Sequence, residues 1–280
     1  MKFQTFFQIY YKHRIIKANP LYKIYLSIII PIRFILYIIF LEKRVDLDNL
    51  AINNPALFDK DLNYLFEYFN TDKGHYFYNQ YSRTKNKKKI EGHKYVTFYE
   101  KYFKTIKDRN LNILELGSFK GAAAAAFYFF FKNSKIYSGD IFPDLFSFLS
   151  NRNFNFKIDT GSENSINSLI LANNIKFDII IEDASHFLKD QIISLFLFFK
   201  ILGPKGIFVI EELDFPDTRK DMNIYNEQPT LRQILYAIIN KKDFDSKYVN
   251  SFDKEYFMKN FDTIKIYKGR INEIAFIIKK

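Results

Sequence analysis

The sequence predicts an α/β fold with a doubly wound, mostly parallel sheet, and three observations carry that prediction. Apolar runs of strand length alternate with helical periodicity from Asn112 onward. A glycine-bearing stretch, ILELGSFKG at Ile113–Gly121, joins one such run to an alanine-rich helix start. Two further runs end in acids, IEDASH at Ile181–His186 and IEEL at Ile210–Leu213. Carboxylates are costly to bury unpaired. They suit the carboxyl ends of strands, where open α/β sheets place ligands.

Taken in order, residues 46–70 read as a helical linker, because FDKDLNYLFEYFN sets aromatic and leucine side chains at helical spacing. Thr71-Asp72-Lys73-Gly74 is a polar turn, followed by a basic loop with five basic residues in Arg83–Lys89. HKYVTFYEKYFKTI, from His93 to Ile106, is an amphipathic helix leading into the core. The first core strand is Asn112–Leu116 and its helix Ala122–Lys132. The second strand is Lys135–Asp140, the third Phe156–Asp159, and a helix covers Glu163–Ala172. The fourth strand is Phe177–Glu182, with a helix over Leu188–Leu202. The turn Gly203-Pro204-Lys205-Gly206 releases the fifth strand, Ile207–Ile210. A helix near Thr230–Asn240 precedes Thr263–Tyr267 and Glu273–Ile278, an antiparallel hairpin turning at Gly269-Arg270. The expected domains are a basic, apolar helical appendage (1–45), a helical and loop cap (46–110), and the α/β domain that carries the chemistry (111–280).

Composition narrows the classes of function. With 280 residues the chain buries a sizeable core, and 48% apolar with 19% aromatic content excludes disorder. The lack of cysteine excludes disulfides, thiolate metal sites and cysteine nucleophiles. The net charge of +11 is uneven: residues 1–45 hold eight Lys/Arg against Glu42 alone, or +7, leaving +4 for the rest. No nucleic-acid-binding signature accompanies that charge, so no nucleic-acid partner is expected.

Residues 21–41 are strongly apolar but interrupted by Lys23, Pro31 and Arg33. No signal peptide is expected, since the stretch starts far in and LEKRVD follows it. Three readings stand. The segment is an interfacial helix or helix pair on an anionic membrane surface, a set of helices packed on the domain or on a partner subunit, or a true span, which a mid-segment Arg opposes. The first is preferred, with a cytoplasmic location at the inner face of the membrane. A homo-oligomer is compatible with the second.

Glu115-Leu-Gly117-Ser118-Phe-Lys-Gly121 follows a strand and opens a helix, the context of a ligand-binding loop. Gly117 permits the tight turn and Gly121 lets the backbone approach a ligand. The loop is neither a P-loop, since GK[ST] is missing, nor the GxGxxG fingerprint. Glu115, with Asp140 at the end of the second strand, suits a ligand carrying a ribose.

This order (ExGxxxG, an acid ending strand two, an acidic strand four, GPKG before strand five) resembles the class I S-adenosylmethionine-dependent methyltransferases, whose core is Rossmann-like. Thr71–Gly74 (TDKG), Glu182–His186 (EDASH) and Glu211-Glu212 are similar to the metal-dependent O-methyltransferases of macrolide sugars and to cephalosporin hydroxylase-like proteins. The resemblance covers about Asn70 to Leu213, roughly half the chain. It implies that Asp183, Glu211 and Glu212 bind a divalent cation, Mg²⁺ or Mn²⁺, with His186 as general base and Asp183 beside it in the catalytic pair. It implies S-adenosylmethionine binding by Thr71, Lys73, Glu115, Gly117, Ser118, Gly121, Asp140, Asp159 and Asp183. Asp159-Thr160-Gly161-Ser162 would lie beside the adenine, while Tyr76, Tyr78, His93 and Tyr95 close over cofactor or substrate.

The implied activity is O-methylation of a vicinal hydroxyl on a small-molecule or glycan acceptor. A sugar hydroxyl is a weak acid, and a hard cation with open positions lowers its pKa. A histidine with an unperturbed pKa of about 6.5 then takes the proton. The competing readings are a hydroxylase-associated protein of the same fold and a non-catalytic, membrane-held scaffold. Glu212 departs from the family's expected Asp, and successive strand residues face opposite ways, so Glu211 and Glu212 converge only where the strand bends. Ala184 stands where the family often has Gly. Plainer roles exist too: Asp183 and Ser185 as helix caps, His186 as a satisfied histidine at a helix start, and Glu211-Glu212 as surface acids. Glu182 is expected to face away from the metal, and Asp214, Asp217, Arg219 and Asp221 to line the substrate side.

Overall fold

A computed structural model describes residues 1–16, 18–40, 44–78, 88–172 and 175–280 of the chain. Three amino-terminal helices, α1 (Phe3–Tyr10), α2 (Lys12–Ile16) and α3 (Pro20–Phe40), precede a short strand β1 (Val45–Asp46). Then come α4 (Leu47–Asn53), a 3₁₀ turn at Pro55–Asp59, and α5 (Leu62–Phe69). Asp46 and Asp61 cap α4 and α5 by accepting from backbone N–H groups of the first turn. The hairpin β2 (Tyr76–Tyr78) and β3 (Lys89–Glu91) and the helix α6 (Val96–Phe103) complete the region before the sheet.

The sheet domain runs β4 (Asn112–Leu116), α7 (Ala122–Phe130), β5 (Lys135–Asp140), a 3₁₀ turn at Pro143–Leu145, β6 (Phe148–Leu149), β7 (Asn153–Lys157), α8 (Glu163–Ala172) and β8 (Phe177–Glu182). It continues with α9 (Leu188–Phe198), β9 (Leu202–Ile210), α10 (Phe215–Thr218), α11 (Leu231–Ile239), α12 (Ser251–Asn260), β10 (Phe261–Lys268) and β11 (Glu273–Lys279). The seven-stranded sheet has the order β10-β11-β9-β8-β4-β5-β7. β7, β5, β4, β8 and β9 are parallel, β11 pairs antiparallel with β9, and β10 pairs antiparallel with β11. This is the doubly wound sheet with a terminal hairpin that the strand–helix alternation predicts. The chain reverses direction across the sheet between β4 and β8, the switch point where such sheets bind ligands.

Strand alternation divides the core into two layers. Ile113, Ile179, Ile181, Val209 and Phe276 share one core with side chains of α4–α7. Leu114, Ile180, Phe208, Ile210 and Ile277 share the other with α9, α11 and α12. Helices α4–α7 thus cover one sheet face, with Phe66, Tyr95 and Tyr99 fully buried there.

Several boundaries differ from the sequence reading. The third core strand lies at Asn153–Lys157, not Phe156–Asp159, because its register against Ile136–Asp140 fixes where pairing starts and stops. The GPKG stretch is an irregularity within β9 rather than a turn before it. Leu202 opposes Phe177 and Ile207 opposes Ile179, so the residues between bulge out, with Lys205 at φ 57°. The helix α12 and the small pairings β1–β6 and β2–β3 carry no strong periodic signal and go unpredicted.

Candidate active site

The site lies at the carboxyl ends of β4, β8 and β9. Ile113, Ile181 and Val209 face the α4–α7 layer, so two residues further on Glu115, Asp183 and Glu211 point to that same side. Glu182 sits one residue out of that phase, so its side chain points to the opposite side of β8 from Asp183. It is fully buried with Oε2 unpartnered, and burial pushes its carboxyl up to about 8.

One ammonium serves these acids. Lys73, in the turn after α5, is 2% exposed and donates from Nζ to Asp183 and to Glu211 Oε2 at 2.8 Å. Burial works against a charged lysine, but Asp183, Glu211, Glu115 and Asp72 together raise its pKa well above the ordinary value. Tyr99 of α6 donates from its hydroxyl to the other oxygen of Glu211. Burial pushes Glu115 up to about 7 and Glu211 up to about 8.

Glu212 has φ 47°, a left-handed turn that breaks the strand and brings its carboxylate back to the site. Glu212 Oε1 accepts from the Tyr95 hydroxyl at 3.3 Å and lies 3.4 Å from His93 Nδ1. Glu212 Oε2 is buried without a hydrogen-bond partner, 3.9 Å from His186 Nε2. His186 Nε2 is 3.5 Å from Asp183 Oδ1, its Nδ1 is buried and unpartnered, and its ring stands edge-on to Phe215. Asp183, His186 and Glu212 each offer a ligand atom, all within 4.8 Å of one another. Burial lowers the pKa of His186, favouring the neutral ring, and raises that of Glu212, with Asp183 and Glu211 adding to the rise.

Beside this trio opens a cavity of about 630 Å³, in the size range of small-molecule sites. Thr71, Lys73, Glu115, Gly117, Ser118, Asp140, Asp159, Asp183 and His186 all line it. Gly117, at φ 85°, has no room for a side chain: a Cβ would stand 1.9 Å from the carbonyl oxygen of Asp183. The loops after β4 and β8 touch at that point. Asp140 accepts from the Phe119 and Phe142 N–H groups at 2.8 and 2.7 Å, so it shapes the loop it faces.

Comparison with protein-family models and with curated proteins gives no match. Solved structures do match. MycE, a methyltransferase from the mycinamycin biosynthetic pathway in complex with Mg and SAH, superposes on 79% of this chain, over 55% of its own length, with a TM-score of 0.59 and 19% identity. MycE in complex with Mg, SAH and mycinamycin VI gives 0.57 and 18%, over 79% of this chain and 54% of that one. The fold is that of the class I S-adenosylmethionine-dependent methyltransferases. The chain spans little more than half the length of the MycE structures.

Within this methyltransferase fold, two residues depart from their sequence-derived assignments. Gly121 does not line the cavity; the ring of Phe146 fills the space where its Cβ would be, 2.4 Å away, so the glycine makes room for a core side chain. Glu211 stands outside the trio, with its two oxygens taken by Lys73, which it shares with Asp183, and by Tyr99. His186 takes the third place beside Asp183 and Glu212. The plainer role for Asp183 does not hold: α9 starts after Phe187 without a side-chain cap, and Ser185 donates to Asp190. Asp214 and Asp217 are structural, accepting from Lys268 and the Glu273 N–H, and from Thr230. Arg219 and Asp221 pair with each other at the surface. Tyr76 and Tyr78 are exposed on β2, away from the cavity, and residues 83–87 of the basic loop lie outside the described residues.

Sequence reading noticed the TDKG turn but not that its lysine is the counter-ion of acids more than 100 positions away. It also missed Tyr99. The available signal was the four-residue spacing of Tyr95 and Tyr99, which puts two hydroxyls on one face of α6.

Proposed function

We propose that the protein is an S-adenosylmethionine-dependent O-methyltransferase assisted by a divalent cation, acting on a vicinal hydroxyl of a sugar or glycoconjugate. One observation carries the reading. Asp183 and His186 belong both to the cavity wall and to the trio with Glu212, so a methyl donor and a hydroxyl would meet over the same two side chains.

The residues fit both groups. The cavity matches a nucleoside-sized ligand, and its glycine floor and acidic wall suit ribose hydroxyls and a cationic sulfonium. The unpartnered Glu212 Oε2 and the oxygen-rich donor set suit a hard cation, Mg²⁺ or Mn²⁺. Asp183 and Glu212 would hold it, with His186 beside them, and its chemistry there is to lower the pKa of a bound hydroxyl. S-adenosylmethionine supplies the activated methyl group. Lys73 fixes one oxygen of Asp183, leaving Oδ1 on the His186 side. His186, held neutral by burial, is ready to take the proton of an acceptor hydroxyl. The bend at Glu212 and its contacts to Tyr95 and His93 keep its second oxygen turned toward that ring.

The test is calorimetric titration of S-adenosylmethionine into the wild type and into Ala122→Trp, which fills the cavity from the first turn of α7. Saturable binding that the variant loses supports the reading; no binding by the wild type overturns it. A panel of sugar diols and catechols, assayed for methyl transfer with Mg²⁺ and with EDTA, then tests the acceptor class. Transfer to catechols alone would replace the sugar assignment.

A further inference from the structure

We infer that α1–α3 form a seat for an anionic lipid surface, with the exposed side of α3 immersed and α1 bracketing the sheet domain against the headgroups. α3 has 21 residues, about 31 Å of helix. Its Pro20–Ile39 window has a mean hydropathy of 1.8, yet 11% of that window is buried. A helix apolar on all sides belongs in a protein core or in lipid. Here one stripe is covered: Leu26 and Ile30 pack with Phe6 and Tyr11. Leu21, Ile24, Ile28, Ile35 and Ile39 are between 55% and 80% exposed. A continuous face of this kind is rare on a surface that meets only water.

Charge names the partner. Residues 1–41 contain six Lys/Arg and no Asp or Glu. Lys2, Lys12, Lys23 and Arg33 are exposed on these helices, Lys23 and Arg33 on the side of α3 opposite its exposed apolar face. Long cationic side chains flanking hydrocarbon suit anionic headgroups over an acyl layer.

The contacts also set the orientation. Arg33, in the second half of α3, donates to the Tyr11 hydroxyl at 3.1 Å, and Phe34 packs on Phe3 and Phe6. α1 is in turn fastened to the sheet domain, where Thr5 Oγ1 donates to Asp144 Oδ1 at 2.9 Å. Threading α3 across a bilayer would drag these polar links into hydrocarbon, whereas lying flat keeps them. Ile9 of α1 lines the 630 Å³ cavity, so the seat is one helix away from it.

The experiment is co-sedimentation of the full-length protein with vesicles of phosphatidylcholine, with and without phosphatidylglycerol. Expected is a preference for the anionic vesicles of about tenfold or more, falling with added salt. Ile24→Asp/Ile28→Asp/Ile35→Asp should lower binding to both kinds of vesicle without lowering Tm. Lys12→Glu/Lys23→Glu should remove the anionic preference. Three results would overturn the inference: no sedimentation with either vesicle, retention after alkaline carbonate extraction (a span), or a solution dimer that Ile28→Asp dissolves while vesicles are ignored (a second copy on the face).

Discussion

Two regions of this molecule invert the ordinary division between apolar interior and charged surface, in opposite senses. At the ends of β4, β8 and β9, Glu115, Asp183, Glu211 and Glu212 crowd into a buried site. Along α3, Leu21, Ile24, Ile28 and Ile39 stand in water. The first inversion is settled in part within the chain, through Lys73 and Tyr99, and leaves a polar remainder at Glu212 Oε2, His186 Nδ1 and Glu115 Oε2. The second is settled only along the Leu26–Ile30 stripe and leaves most of a helix face over. What remains after internal pairing motivates the two proposals: a cation for the polar gap between carboxylates, and an anionic lipid surface for the apolar face of a basic helix.

The sharpest way to break the comparison is to remove the polar remainder. Asp183→Ala should reduce methyl transfer by about 10³-fold or more while leaving S-adenosylmethionine affinity within about tenfold, since the cavity keeps its other walls. His186→Asn should cost about 10²–10⁴-fold in kcat. Steady-state assays beside calorimetry separate the two effects. If Asp183→Ala retained wild-type turnover, the acids would be structural and the polar gap would have no cation to explain.

Next in size is the internal counter-ion. Removing one partner of a buried charge network leaves the others unpaired, at a cost of about 3–5 kcal/mol. Lys73→Met should therefore lower urea stability by about that amount at pH 8. The loss should be smaller at pH 5, where Glu115 and Glu211, already raised to about 7 and about 8, are protonated. Added Mg²⁺ should recover part of the loss, by binding the folded state alone. Equal losses at both pH values would mean that Lys73 stabilises by packing rather than by charge.

Both regions were visible in the sequence, to unequal depth. The sheet, its terminal hairpin and the Gly117 turn were legible because apolar runs of strand length and a glycine at a strand–helix junction are local signals. So were the acids, which end apolar runs where carboxylates are unusual. Their partners were not. Lys73 belongs to a turn, Tyr99 reads as one more aromatic on an amphipathic helix, and only folding brings either to Glu211. Gly121 shows the same limit, since the Phe146 ring that stands beside it is brought there by contacts distant in sequence. In α3 the sequence displayed the hydrocarbon but not which stripe Phe6 and Tyr11 would cover.

Glu182 offers a smaller and cleaner probe, being a buried acid on the opposite side of β8 from the trio. Burial raises its pKa from the ordinary carboxylate value to about 8. The folded state therefore holds the proton more tightly than the unfolded chain. That contribution is fully present below about pH 4.5 and is lost as pH rises through about 8. At most about 1.4 kcal/mol is at stake per pH unit in that window. Glu182→Gln keeps the shape without the ionisation, so its Tm relative to wild type should climb between pH 5 and pH 9. A parallel pair of Tm curves would show that the carboxyl titrates in the fold as it does in the unfolded chain.

The smallest expected effect is the most telling about α3. Leu26→Ala removes a side chain that is 1% exposed against Phe6 and Tyr11, and should loosen the helical hairpin by about 2 kcal/mol or more, read as lost amide protection in α1 and α3. Ile28→Ser removes one that is 61% exposed, and in aqueous solution it should change stability by no more than about 0.5 kcal/mol. On anionic vesicles the ranking should shift, because the serine then sits where hydrocarbon would have been buried, at about 25 cal/mol for each Å² withheld. A side chain that is neutral in water and costly on lipid is shaped by a surface outside the protein. Should Ile28→Ser prove neutral in both settings, the exposed face would be an ordinary excess of apolar residues, and the parallel with the acidic site would end there.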